Sequence, residues 1–274
     1  MTGASRAVAR AVGRAALNAA VTLVIILLLW QGVVSLTGIS PYVAKGPVQV
    51  WQFLFVDGDE PGSAAEHRAA LAPLLGQTLH DAGLGFVTGM IAAVVLAILF
   101  SLSRGIEAGV MPLALLLRSV PLVALAPVII LITGRGSAAS VAVIGSIVVL
   151  FPALASVLFG LSRANPESLD LVHVYGGTRL TALRKVNVPG ALPSLFAAAR
   201  VSVPGAVTGA LLAEWLSTGQ GIGGMIQKFN ASARFEDLWA SVAVITLVTL
   251  VLYNLVQIIE TAVLARMGMT GTLT

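Results

Sequence analysis

The chain has 274 residues, of which 57% are hydrophobic and 10% charged, with a mean hydropathy of +0.96 and a formal charge of +4. Soluble domains carry about a quarter charged residues, so this composition excludes a single water-soluble core and makes lipid the main solvent. There is no cysteine, which excludes disulfide frameworks and thiolate metal or redox sites; the positive charge bears on topology, not on nucleic acid.

The N-terminus places Arg6, Arg10 and Arg14 at four-residue spacing, near one face of a short helix. With the apolar run 19–36 behind it, it reads as an anchor along the membrane surface and not as a cleaved leader. That run is the first of six stretches long enough to cross; the others are 84–102, 110–132, 138–160, 195–216 and 238–264. Every backbone group in lipid must be satisfied within its own segment, and no ten-residue alternation suggests a barrel. The expected fold is all-α, one six-helix membrane domain over 1–274.

Between the first two spans lies an acidic turn, VDGDEPGSAA, then a helical segment ending near His80 and Asp81, which read as markers of the interface. The third span carries Arg118 about 12 Å deep at the helical rise. Two readings fit it: a polar contact along a path or inner gate, or an arginine that snorkels or pairs within the bundle. Pro112, Pro121, Pro127, Pro152 and Pro204 interrupt spans three to five, which is tolerable where the backbone faces protein or a cavity. Glu214 sits near the outer end of the fifth span, either at an outer gate or as an interfacial carboxylate beside Trp215.

Charge gives the orientation. Arg6, Arg10, Arg14, Arg104, Arg163, Arg179, Arg184, Lys185, Arg200 and Arg266 fall on one side of the six-span arrangement. On the other, Lys45, Arg68, Arg135, Lys228 and Arg234 are balanced by Asp57, Asp59, Glu60, Glu66, Glu236 and Asp237. The positive-inside rule then puts both termini in the cytoplasm.

The longest inner loop, 161–193, reads as two short helices joined by a glycine elbow. Asn165 can cap the first, Pro166 suits its first position, and Glu167 favours the positive end of its dipole. Gly176 and Gly177 stop it; Thr178 can cap the second, and Pro189 ends that one. Arg179, Arg184 and Lys185 form its charged side. This is either a docking shape or a basic loop that only fixes topology.

Spacing favours docking by resemblance. The segment resembles the cytoplasmic loop of bacterial ABC-importer permeases, Glu-Ala-Ala, three residues, Gly, nine residues, then Ile-x-Leu-Pro. Asp170-Leu171-Val172, Gly176 and Val186 to Pro189 hold those positions, with Asp for Glu and bulkier residues for the two alanines. The stretches ISPYVAKGPVQVWQFL, RSVPLVALAPVIILITGRG and AEWLSTGQGIGGMI are similar to those of the nitrate/sulfonate/taurine subfamily.

The resemblance implies a permease importing a small solute, a small anion such as a sulfonate or nitrate. Its implied partners are a second permease subunit, as a homodimer, two cytoplasmic ATP-binding subunits and an extracytoplasmic binding protein or lipoprotein, in a bacterial inner membrane. Asp170, Leu171, Val172, Gly176, Gly177, Arg184, Lys185 and Pro189 would seat on the ATPase. Arg118, Ser119, Pro121, Ser202 and Thr208 are the candidates for the pathway, and Glu214, Trp215 and Gly221 for contact with the binding protein.

No phosphate-binding G-x-x-x-x-G-K-[ST] motif is present, so ATP and Mg are expected on the partner, and this chain has no cofactor or catalytic residue of its own. Gly219 to Gly224 formally match G-x-G-x-x-G, but no strand precedes them, and a tight outer turn is the expected reading. His67, His80 and His173 show no metal-ligand spacing. A self-sufficient secondary transporter and a non-transporting scaffold are the alternatives; the first usually shows more spans or an inverted repeat.

Overall fold

The computed structural model describes residues 2–57 and 62–268, so Asp59 and Glu60 lie outside the described residues. The side chains of Arg6, Arg10, Arg14 and Arg118 are outside them too. In chain order, α1 (Thr2–Leu36) leads to α2 (Pro47–Phe55) and α3 (Ala64–Leu102). α4 (Arg104–Ser119), α5 (Leu122–Thr133) and α6 (Ala138–Ser162) follow. Then come three short helices, α7 (Pro166–Val174), α8 (Arg179–Ala182) and, after a wide π turn at Leu183–Asn187, α9 (Val188–Gly190). α10 (Leu192–Ala213) ends in a second π turn, Glu214–Thr218, before α11 (Gly221–Ala231) and α12 (Phe235–Arg266).

Among the described residues, four helical stretches are long and apolar enough to cross a membrane: Ala64–Leu102, Ala138–Ser162, Leu192–Thr218 and Phe235–Arg266. Ala20–Leu36 and Leu122–Thr133 are shorter apolar helices. The expected third span is therefore corrected: 110–132 is two helices. Pro121 has no N–H to give and pushes the residue before it out of the helical region, so Val120 is extended at ψ 127° and α5 starts afresh. The expected second span is the C-terminal part of a longer helix. Ser63 Oγ accepts from Glu66 N at 3.2 Å while Glu66 Oε2 accepts from Ser63 N at 3.0 Å, and this capping box starts α3 well before the apolar run. At 39 residues α3 is about 58 Å long, nearly twice the hydrocarbon thickness.

The core of the bundle is α3, α6 and α10, joined by apolar side chains including Ala93, Ala97, Val149, Ala153, Ala206 and Ala210. Lipid provides no hydrophobic drive between helices, so close backbone approach and dispersion must hold them. Gly145 of α6 is the meeting point: a Cβ on Gly85 would lie 2.8 Å from its Cα, and a Cβ on Gly209 2.9 Å. Gly85 and Gly89 make a G-x-x-x-G stripe that seats α3 on α6.

α12 packs on α10 and α1. Trp30 of α1 stacks on Trp239 of α12 at 5.6 Å, and their indole N–H groups donate to Lys45 O and Val43 O at 3.0 and 2.9 Å. Lys45 pairs with Glu236 at 2.6 Å, and the Tyr42 hydroxyl donates to Ala233 O. The segment after α1 is thus tied to the start of α12, at the end that also holds the 134–137 turn and α11.

Candidate functional site

At the opposite end, the 161–193 segment folds as a helix–glycine–helix element. Asn165 Oδ1 accepts from Glu167 N at 3.0 Å and opens α7. α7 closes in a Schellman turn: Gly177 N donates to Val172 O, and Gly176 N to His173 O, at 2.8 and 2.9 Å. Gly176 takes φ +73°, the left-handed conformation this cap needs and which glycine adopts without a Cβ penalty. Thr178 Oγ1 then accepts from Thr181 N and starts α8.

α7 buries none of its residues. Leu171, Val174 and Tyr175 are 60%, 83% and 84% exposed, a row of apolar side chains on a helix that stands off the bundle. Asp170, Leu171, Val172, Gly176 and Gly177 are therefore gathered in one turn-and-cap unit. Arg184 and Lys185 are exposed on the following π turn. Buried Ala182 and Leu183, and Asn187 Nδ2 donating to Leu161 O at 2.9 Å, fix that turn to the end of α6. One expectation is corrected here: Pro189 does not end the second helix. The wide turn before it accommodates a residue with no N–H, and Pro189 continues in α9.

At the other end Glu214 has no exposed surface. Its Oε2 accepts from Thr78 Oγ1 at 3.0 Å and from Gly223 N at 2.8 Å. Thr78 Oγ1 in turn accepts from Ile222 N at 2.9 Å. The carboxylate thus sits at the N-terminus of α11, where free N–H groups and the helix dipole favour an anion. The glycine motif wraps this internal carboxylate: Gly221, at φ +62°, has its α-carbon against Glu214, and any side chain there would displace the carboxylate. Ser217 closes the cluster, accepting from Gly136 N at 3.0 Å and meeting Ser140 Oγ at 2.8 Å.

This overturns the expected contact role of Glu214 and Gly221. Both are buried, because α3 and α11 close over the π turn; of the trio only Trp215, 49% exposed, faces outward. Asp81 is also buried, accepting from Gln77 Nε2 at 3.0 Å, whereas His80 is exposed as an interface residue would be.

The pathway candidates are not brought together. Arg118 and Ser119 occupy the last turn of α4, and Ser119 Oγ donates back to Leu116 O. Pro121 opens α5. Ser202 is fully buried in the α10 packing, with no solvent-accessible surface to line a path, and that expectation is withdrawn. Thr208 is exposed; with Leu211, Leu212, Trp215, Gln227 and Asn230 it lines a largely apolar cavity of about 350 Å³ between α10, α11 and the start of α12.

Sequence reasoning missed two features. Arg200, counted with the loop charges, lies inside α10 and pairs with buried Glu260 of α12 at 3.2 Å, its guanidinium 5.9 Å from the Tyr253 ring centre. Two opposite charges within apolar helices were the available signal. Thr78, the partner of Glu214, carries no such signal; a lone threonine is unremarkable in sequence.

Residues 85–269 match the family described as "Binding-protein-dependent transport system inner membrane component". A probable ABC transporter permease protein of Haemophilus influenzae is 29% identical over 84% of this chain and 89% of its own length. A riboflavin transport system permease protein of Chloroflexus aurantiacus is 29% identical over 88% of this chain and 86% of its own length. The taurine transport system permease protein of Escherichia coli is 25% identical, covering 84% and 82%. Among solved structures, a bacterial ABC transporter importing the acidic polysaccharide alginate has a chain of like fold. Its TM-score is 0.55 over 83% of this chain and 94% of that one, at 15% identity.

Proposed function

This chain belongs to the family of binding-protein-dependent transport system inner membrane components, as a permease subunit of an ABC importer, and from that premise we propose how it works. The helix–glycine–helix element of 161–193 docks on a cytoplasmic ATP-binding subunit. Two permease subunits, as a homodimer, form the path, each with one ATPase beneath it. An extracytoplasmic binding protein or lipoprotein delivers the solute to the end that holds α11.

The observation that carries this reading is α7: a capped helix, outside the bundle, with Leu171, Val174 and Tyr175 exposed beside Asp170. Exposed apolar rows in water mark contact surfaces. A rigid, capped element anchored through Asn187 moves as one piece, which is what transmission of ATP-driven closure requires. The charge bias supports an inner location for this end: Arg104, Arg163, Arg179, Arg184 and Lys185 lie here, and both termini then fall in the cytoplasm with six crossings, α4 and α5 together supplying the third.

ATP and Mg belong to the partner in this reading, and the solute is a small anion such as a sulfonate or nitrate. The match to a riboflavin permease favours a heterocyclic nutrient as the second reading of the solute. The ligand that co-purifies on the binding protein, identified by mass spectrometry, decides between them. Substituting Asp170 or Gly176 is expected to lower solute-stimulated ATP hydrolysis while membrane insertion stays intact; unchanged uptake would overturn the docking role. An ATPase subunit that never co-purifies with this chain would instead favour a secondary transporter or scaffold.

A further inference from the structure

Between the helix–glycine–helix element and the corner where α3 meets α4 lies a cleft of about 290 Å³. Ser101 and Arg104 form one wall, His173 and Arg179 the other, and Asn187 closes one side. We propose that this cleft binds a phosphate-type oxyanion, supplied by the headgroup of an anionic phospholipid or by free phosphate.

The charge arrangement carries the inference. Arg104 and Arg179 come from elements far apart in sequence, yet line one cleft. Among the described residues neither guanidinium is in an ion pair or hydrogen bond. Arg68, Arg163, Arg200 and Arg234 are engaged, on Leu54 O, Phe159, Glu260 and Asp237, and Arg135, Arg184 and Arg266, which are unpaired too among the described residues, lie outside this cleft.

Among the described residues no carboxylate lines the cleft. Glu107, one turn along α4, borders a neighbouring groove with Arg104 and makes no pair with it. Asp170 lies on α7 but is not part of the wall. Both arginines are exposed, so water screens their repulsion, and an anion between them would offset what remains of it. Planar guanidinium donors fit the oxygens of a phosphate, and the free Ser101 hydroxyl adds a donor. The Asn187 amide is committed to Leu161 O, so it holds the wall in place.

The level of the cleft suits a headgroup. α3 leaves its apolar run at Leu102 and α4 begins at Arg104, so the two arginines stand where a membrane helix ends, as in basic headgroup pockets between helices. An anion held by both would tie the loop element to the α3–α4 corner. The binding site stands without the docking reading above; only its consequence for transport rests on that reading.

The test uses the purified full chain in nanodiscs of phosphatidylcholine, with and without phosphatidylglycerol. Retained lipid is read by native mass spectrometry and stability by thermal unfolding. The wild type is expected to retain phosphatidylglycerol. Arg104→Gln/Arg179→Gln is expected to hold it roughly thirtyfold more weakly, from the usual contribution of a basic residue near an anionic surface. Arg104→Lys/Arg179→Lys should keep most of the retention, and Arg184→Gln/Lys185→Gln, on the same loop but outside the cleft, should keep all of it.

Inorganic phosphate added to phosphatidylcholine nanodiscs separates the sources. A rise in unfolding temperature that needs Arg104 and Arg179 assigns a soluble anion, and no rise with lipid retained assigns the headgroup. The proposal is overturned if the Arg→Gln pair matches the wild type in both arms. It is equally overturned if the control pair loses as much, or if the arginines affect only co-purification of an ATPase. If the double variant is unstable in phosphatidylcholine alone, the two single substitutions give the same reading, each with part of the loss.

Discussion

Glu214 shows what one carboxylate does when a protein keeps it dry. It satisfies the Gly223 N–H and the Thr78 hydroxyl at once, and so fastens the glycine turn to α3. Glu214→Ala leaves the Gly223 N–H without a partner, at a cost of about 1–3 kcal/mol, while the Thr78 hydroxyl falls back on Leu74 O at 3.1 Å. Glu214→Gln, which keeps one oxygen, should lose less. Unfolding midpoints in detergent check the order; equal midpoints for the Ala variant and wild type would dismiss the latch. The Arg200–Glu260 pair makes a second case. Glu260→Ala strands a charge among apolar helices and should cost about 3 kcal/mol, whereas replacing both residues with methionine should recover most of it. A double-mutant cycle measures the coupling, and additive losses would show that the pair does not act as a unit.

Among the elements, two hinge on a single backbone feature each. Gly176→Ala places a Cβ in the left-handed Schellman position, which costs about 1–2 kcal/mol and should fray the end of α7. Hydrogen exchange across 166–177 should quicken, while the α3, α6 and α10 amides stay protected; unchanged exchange at 171–177 would remove the cap from the argument. Pro121 divides α4 from α5. Spin labels at the exposed positions Leu113 and Leu131 would lie roughly 27 Å apart along one continuous helix. The broken pair should read shorter, and Pro121→Ala should lengthen it; equal distances would mean that another residue sets the break.

At the scale of the whole molecule, orientation is directly measurable because the chain has no cysteine to remove. Arg135→Cys, in the 134–137 turn, should react with an impermeant reagent in intact cells. Val174→Cys should react only after permeabilisation, and the opposite pattern would invert the proposed topology. Element type was readable from residue order, since capping residues and glycine stops act locally: Asn165, Gly176 and Thr178 each take the role their chemistry predicts. The split at Pro121 was readable in part, because a proline signals an interruption without saying whether neighbouring packing holds the helix together.

What residue order determined by itself, then, was the solvent, the helical class, the apolar stretches and the helix–glycine–helix loop, all matters of composition and near neighbours. Only the tertiary structure decided that Glu214 and Gly221 are interior, that Ser202 faces packing, that Arg200 meets Glu260, and that Arg104 shares a cleft with Arg179. The physical reason is range. Helix caps and breaks act over about one turn, whereas burial of a polar side chain depends on which distant helix lies against it, and here the close approach of α3, α6 and α10 at Gly145 sets that arrangement.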